Sequence, residues 1–561
     1  MGRNSRRYSV LASSDRSESP PPAYSSRPQS LYPRLSEQTP LFSSGVNSKS
    51  TPNREAKHLS RCLHLLVLIV FFLPFFFLYN LFFGGPSSPP PPRPTYSVAI
   101  IGAGPAGISA AQHLHLKSIV RDYHLNITLF ESSPIIGGQL ALNSSTGGLV
   151  FPYDDPDQSP ITAEDIAGTA LVWGNPLFTR TSEATLGDKV EFSERPSQQV
   201  GYFSDHIVSQ TTRPYSKTPT TSWLGLIWKY GSSIWHAGAM TKDGTNLRDH
   251  FIDPPLTPDI MQLMISLGIL DSVQELAQNG LDSRGISGAY VTEVLGPQVE
   301  RAHSQKIPDI STLATMLAAA QEDFANFYVG GELIDRLEQV VSATGADVRA
   351  ATTVAGIKHE YIDEEQPTWL VSYDAFGSSG IRAEAFDKVI LAAPSFDLYQ
   401  VSSIDDVEAA SVLTYQSVYI VLFTTSSRFR PDFFDNLDQV LFLEDRGEDS
   451  PYGGTKELAF VREVIRIGDD GNRIVEYLYR GLSNGPITKQ LQLEPDITWQ
   501  YEERLEYAYP DLYPFRRFPA FKLSDKGLWW TSAIHSIAST VDMSWLAGQI
   551  VAEEVLKDLE N

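Results

Sequence analysis

The amino-acid sequence predicts an α/β fold: a parallel sheet flanked by helices, joined to a second part of helices and antiparallel sheet. A disordered tail and a single transmembrane helix precede both. Three observations carry this reading. The β-branched run Tyr96–Ile101 passes straight into Gly102-Ala103-Gly104-Pro105-Ala106-Gly107 and then into an Ala-rich stretch. A hydrophobic share of 42% over 561 residues is enough to bury a sizeable core. Mean hydropathy is only -0.16, and one run alone, Leu63–Phe83, is apolar and long enough to cross a bilayer.

Residues 1–61 are rich in Ser, Pro and Arg, and no apolar period survives the prolines, so they read as a disordered basic tail. Residues 62–84 read as a signal anchor. The run Leu63–Phe83 carries no acid, Lys or Arg, and Pro74 is tolerated in a membrane helix. Lys49, Arg54, Lys57 and Arg61 precede it, whereas Arg93 alone follows it closely. The positive-inside rule then places the tail in the cytosol and the body in the endomembrane lumen (vacuole or lysosome) or outside the cell. That makes a single-pass type II protein. Residues 85–94 are a Pro-rich linker, expected as an extended spacer. Asn143-Ser144-Ser145 is the favoured glycosylation sequon, because Asn126-Ile127-Thr128 lies at the start of an expected core strand.

Charge and cysteine content exclude several functions. The tail holds ten Lys/Arg against four Asp/Glu, leaving 33 basic and 63 acidic residues from position 95 onward. Such a body repels nucleic acid. The one cysteine, Cys62, sits at the membrane boundary, so disulfides, Cys-based zinc and Cys catalysis are excluded. His236 and His250 have no partner at metal-ligand spacing, and no metal site is expected.

The glycine motif has a physical logic. Gly102 permits a tight turn, Gly104 lets backbone approach a pyrophosphate, and Gly107 lets helix and strand pack closely. Ala103, Pro105 and Ala106 complete the loop, and the helix that begins there offers a positive dipole end to an anion. A second strand, Asn126–Phe130, ends in Glu131, at the distance expected of an acid that binds ribose hydroxyls. Gly137-Gly138 follow. The order of strand, GxGxxG, helix, strand, acid and Gly-Gly predicts a dinucleotide site in a Rossmann-like domain.

The acid-ended strand and Gly-Gly loop resemble the FAD site of amine-oxidase-like and glutathione-reductase-like flavoproteins. Ala346–Arg349 followed by Val354 resembles the strand whose backbone meets adenine. Asp387–Pro394 resembles the strand that closes the sheet. The stretch around Asp542 and Met543 resembles the C-terminal FAD segment, and Glu164–Gly168 resembles the stretch passing near the flavin, with Gly168 as the contact. There is no second GxGxxG, which favours an oxidase using O2 over a pyridine-nucleotide reductase.

A closer resemblance is to the prenylcysteine oxidase family. Gly527–Ser544, Tyr328–Ile334 and Leu413–Tyr419 carry it, and with the glycine motif it spans about residues 96–555. It implies an FAD-dependent thioether oxidase that cleaves farnesyl- or geranylgeranyl-cysteine with O2 to cysteine, a prenyl aldehyde and H2O2. One departure is Gln139, where the family usually has Arg after the Gly-Gly pair; Gln139 is still assigned to the cofactor loop. The resemblance also divides the body, residues 95–561, into an FAD part (96–150, 326–395, 520–561) and a substrate part (170–325, 400–515).

A prenyl substrate needs a long apolar pocket, for which Ser222–Trp235 and Ile260–Leu270 offer lining. His535, just before the C-terminal segment, is the candidate for orienting water or the substrate carboxylate. Two alternatives stay open: another amine-oxidase-like oxidoreductase acting on an amine or lipid, and a non-catalytic FAD-binding membrane protein.

Overall fold

The computed structural model describes residues 93–561 except 122, 142–174, 195–196, 215–216, 324–325, 329–331, 364–365, 378–379, 395–400, 402–412, 430–433, 435, 444–451, 469, 488–495, 516 and 561. The expected membrane run, the linker up to residue 92, Asn143 and Gly168 lie outside the described residues. Among the described residues no helix is long and apolar enough to cross a membrane.

A six-stranded sheet organises the FAD part. Its order is Lys522–Ser524, Leu528–Trp530, Lys388–Leu391, Thr95–Ile101, His124–Phe130, Asp347–Arg349. Every pair is parallel except the first. Val98–Ile101 and Ile127–Phe130 are buried without alternation, as strands covered on both faces must be. The helices Pro105–Ser118 and Val541–Glu560 are closely packed together. They cross closely because Gly548 has no side chain: a Cβ there would collide with the Ala106 carbonyl oxygen.

An antiparallel three-stranded meander, Thr352–Asp363, Gln366–Ala375 and Arg382–Phe386, shares the same core. Phe130 meets Tyr373 and Phe386 at ring distances of 5.1 and 6.0 Å. Lys388–Leu391 does not close the sheet as expected. It lies centrally, and two short strands from the C-terminal region extend the sheet beyond it.

The substrate part is a seven-stranded sheet in the order Ile497–Pro510, Tyr415–Thr425, Arg473–Ser483, Thr455–Ile467, Gln439–Phe442, Gln198–Phe203, Ile207–Arg213. One pair, Gln439–Phe442 with Gln198–Phe203, is parallel; the rest are antiparallel. A buried charge cluster ties the helix Gly296–His303 to this sheet. Glu457 Oε1 accepts from Arg480 at 2.7 Å and lies 3.4 Å from Arg301 Nε. Burial alone would raise this carboxyl, but the two guanidinium groups outweigh it and bring its pKa down to about 2.

Three sequence expectations are corrected. The helix Pro176–Leu186, assigned to the substrate part, buries Leu177 and Phe178 in the FAD-part core, where Phe178 meets Trp545 edge-on at 4.9 Å. The segment Ile260–Leu270, offered as pocket lining, turns Leu263, Met264 and Leu267 into that same core. The strand of Asn126 starts earlier than expected, at His124, and Asn126 is exposed because only the second half of the strand is covered.

Candidate active site at the junction of the two parts

The glycine loop is fixed by the backbone of one residue. The Ala103 N–H donates to Glu131 Oε2 at 2.7 Å, and the Ala103 carbonyl accepts from Gly137 N–H at 2.9 Å. Glu131 Oε1 accepts from Ser133 N–H at 2.9 Å. Glu131 therefore braces the loop, and a carboxylate with about four lone-pair sites keeps capacity for ribose hydroxyls. Val354 lies just beyond Thr352, whose N–H donates to the Glu131 carbonyl at 2.8 Å. The Asp347–Val354 segment is thus brought to the acid.

The residues present fit a dinucleotide. No side chain caps the helix that starts at Pro105, so its dipole end faces the loop unopposed. Gly102 has φ +108, and a Cβ there would lie 2.8 Å from the Ala392 carbonyl oxygen. A Cβ at Gly104 would lie 3.7 Å from Gly138 Cα, an ordinary contact. The fold therefore tolerates a side chain at Gly104, and its absence serves a ligand. Asn175, at the start of the helix Pro176–Leu186, is fully buried, and neither atom of its amide has a partner among the described residues. A buried amide of this kind calls for a partner, from a bound group or from residues outside the described ones.

Three predicted contacts are corrected. Gln139 Nε2 donates to the Tyr507 carbonyl on the substrate sheet, so its amide joins the two parts and is not free to replace an arginine at the phosphates. Asp542 is buried and accepts from Leu177 and Phe178 N–H at 3.2 and 3.0 Å, binding the helix Pro176–Leu186 to the start of the last helix. Met543 N–H is likewise occupied, donating to Thr540 Oγ1 at 3.1 Å. Burial pushes the Asp542 carboxyl up to about 7, against the pull of its two amide donors.

His535 lies where the two parts meet. Its Nδ1 is 3.0 Å from the hydroxyl of Tyr415, the first residue of a substrate-sheet strand. Burial lowers the His535 pKa to about 4, so the ring is neutral, and burial holds the Tyr415 hydroxyl well above the usual phenol range. Ser532 Oγ donates to the Ala393 carbonyl at 3.0 Å and also hydrogen-bonds Tyr415. Tyr507 stands edge-on to Tyr415 at 6.0 Å. Its φ of 55 is unusual for a bulky residue, and it sits where the strand register slips by a bulge. Sequence reasoning missed Tyr507 and Asn175. Bulges leave no sequence signature, but Asn before Pro is a helix-start signal that could have located Asn175.

The prenylcysteine lyase family profile matches residues 216–561, and the NAD(P)-binding Rossmann-like domain profile matches residues 100–156. The chain belongs to the prenylcysteine lyase family. Among solved structures, a putrescine oxidase triple mutant with redesigned cofactor binding is similar at a TM-score of 0.50 and 14% identity, over 82% of this chain and 99% of that one. Wild-type putrescine oxidase bound to putrescine gives a TM-score of 0.47 at 14% identity, over 82% and 99%. At that identity the likeness concerns the fold alone. No curated protein matches the chain. Family membership and the dinucleotide site together make the protein an FAD-dependent oxidoreductase.

Of the prenyl-lining expectation, Trp223, Leu226 and Ile234 do border a cavity of about 500 Å³. It lies at the Ile207–Arg213 edge of the seven-stranded sheet, away from Tyr415.

Two predictions follow from this geometry. Gly104→Val should purify folded but without flavin absorbance, since its methyl groups enter the pyrophosphate path; full flavin occupancy would contradict the site. Asp542→Asn should keep an amide acceptor and remove a carboxyl whose folded pKa is raised. Such a group costs stability as pH rises from about 4 through about 7. The melting-temperature difference should therefore shift in the variant's favour over that range, by an amount equivalent to a few kcal/mol at most, and level off above it. A difference that does not change with pH would contradict the assignment.

Proposed function

We propose that the protein is an FAD-dependent oxidase that cleaves the thioether of farnesyl- or geranylgeranyl-cysteine with O2, releasing cysteine, a prenyl aldehyde and H2O2. The observation that carries this is the reach of the family match, which takes in both the substrate sheet with Tyr415 and the C-terminal segment with His535. When bound, FAD supplies the acceptor for a hydride from the carbon beside sulfur. The chain's own residues position and shield. The glycine loop and Glu131 hold the dinucleotide. The neutral Tyr415–His535 pair keeps charge out of the reacting region, which suits a substrate carbon that becomes cationic only as hydride leaves. Tyr415 and His535 are candidates for orienting the water that completes the cleavage.

The same reading includes a membrane anchor at residues 62–84 and a body in the endomembrane lumen or outside the cell, supported by the apolar run and its basic flank. Prenylcysteine arises when lipidated proteins are degraded, so a membrane-tethered enzyme stands where its substrate collects.

The purified full-length protein, given farnesylcysteine in air, should release H2O2 and free cysteine in equal amounts. Because His535 titrates at about 4, the rate should stay level through the ordinary histidine range near pH 6.5. A flavin-loaded protein that yields no peroxide with prenylcysteine but does with an amine would overturn the substrate.

A further inference from the structure

We propose that the helix Thr220–Tyr230 is a bilayer-contacting portal, and that the cavity behind it takes a single lipid chain with an acidic head. This helix has two apolar faces with different fates. Leu226 is buried, and with Trp223, Ile234, Tyr290 and Val294 it walls the cavity of about 500 Å³. The opposite face is bare: Leu224 is 61% exposed and Trp228 93%, one turn apart on the same side. Trp235, on the next helix, Ser233–Asn246, is 54% exposed. Tryptophan favours the membrane interface, where its ring is apolar and its N–H can reach polar headgroups.

The occupant is a zwitterionic bilayer, for three reasons. First, from His206 to Lys242 the chain has no Asp or Glu, in a body that holds 63 acidic residues. The segment is thereby freed of the repulsion that keeps the rest of the body from a lipid surface. Second, the segment's basic residues do not form a headgroup clamp: Arg213 is buried, Lys229 turns to Glu293 at 2.5 Å and to the Val208 carbonyl at 2.6 Å, and only Lys217 and Lys242 remain, 25 positions apart. An apolar face without an array of basic residues suits neutral headgroups better than anionic ones. Third, and resting on the proposed anchor at residues 62–84, only 11 residues separate Phe83 from Thr95, so an anchored body stays near a bilayer.

The cavity has the polarity of an amphiphile. Its apolar walls give way to Thr241, Lys242, Thr245 and Asn246, on the last turns of the helix Ser233–Asn246. Its volume lies within the usual range for small-ligand sites. This is a separate site from the Tyr415–His535 junction. The strand Ile207–Arg213 stands five places from Tyr415–Thr425 in the sheet order, about 24 Å at roughly 4.8 Å per strand.

The test uses the full chain in phosphatidylcholine proteoliposomes, with Cys62→Ser as background. An environment-sensitive dye is attached at Trp228→Cys or, as a control, at Val120→Cys, a position 80% exposed elsewhere on the body. The dye at 228 should emit to the blue of the dye at 120 and be quenched by spin-labelled lipid; equal, water-like emission at both overturns the portal. For the cavity, cis-parinaric acid is the probe and Gly238→Phe the variant, since no atom lies within 4 Å of a Cβ at Gly238 and the ring can fill the space. Binding should weaken at least about tenfold while flavin content is kept; unchanged binding overturns the cavity assignment. Neither readout involves turnover, so both stand apart from the substrate reading.

Discussion

The backbone of Ala103 is the knot of this structure. Its N–H is held by Glu131 and its carbonyl by Gly137, so one residue fixes the glycine loop to the second strand and to the Gly-Gly turn. Two hydrogen bonds of this kind contribute only about 1–3 kcal/mol together. Their importance is geometric. They aim the start of the helix Pro105–Ser118 at one point and hold Gly104 and Gly138 face to face around it. The neighbouring glycines exist because that arrangement leaves no space for Cβ atoms: at Gly102 one would press on the Ala392 carbonyl, and at Gly107 on the Gly102 carbonyl.

The two parts of the body share apolar core, since Phe178, Leu263 and Leu317 pack into the FAD part, and polar contacts add to that junction. Gln139 reaches from the cofactor loop to the backbone of Tyr507, and Tyr415 reaches from the substrate sheet to His535. Both contacts converge on the same aromatic group, so the sheet that would receive a substrate is registered against the loop that would hold the dinucleotide. Charge is managed differently in the two parts. The Glu457 cluster keeps its ions by pairing them, whereas His535 gives up its proton and Tyr415 keeps its own. A buried, uncharged junction limits the access of bulk water to a hydride transfer.

The nucleotide half was legible in the sequence because its constraints are local. Gly102–Gly107, Glu131 and Gly137-Gly138 each answer to a backbone requirement within a short stretch of chain, and the structure brings them together as spacing implied. Residues whose roles depend on distant partners were harder to read. Asp542 was placed near the cofactor, but its carboxylate is consumed by the helix Pro176–Leu186, a partner 365 positions away in sequence. Gln139 looked like a lost charge at the phosphates, yet it serves as a strut. The apolar period of Ile260–Leu270 was real, but periodicity does not say which core a helix faces. His535 was found by its place before the last helix; its partner Tyr415 stood in a strand recognised only as a strand.

The central claim is that the FAD held by this loop accepts hydride from a prenylcysteine presented by the substrate sheet. The direct measurement is anaerobic mixing of the flavin-loaded full-length protein with farnesylcysteine, followed by the visible absorbance of the flavin. The account predicts bleaching to the reduced flavin within the enzyme's turnover time, and recovery of the oxidised spectrum when air is admitted. A flavin that dithionite reduces but farnesylcysteine and geranylgeranylcysteine leave oxidised would contradict it.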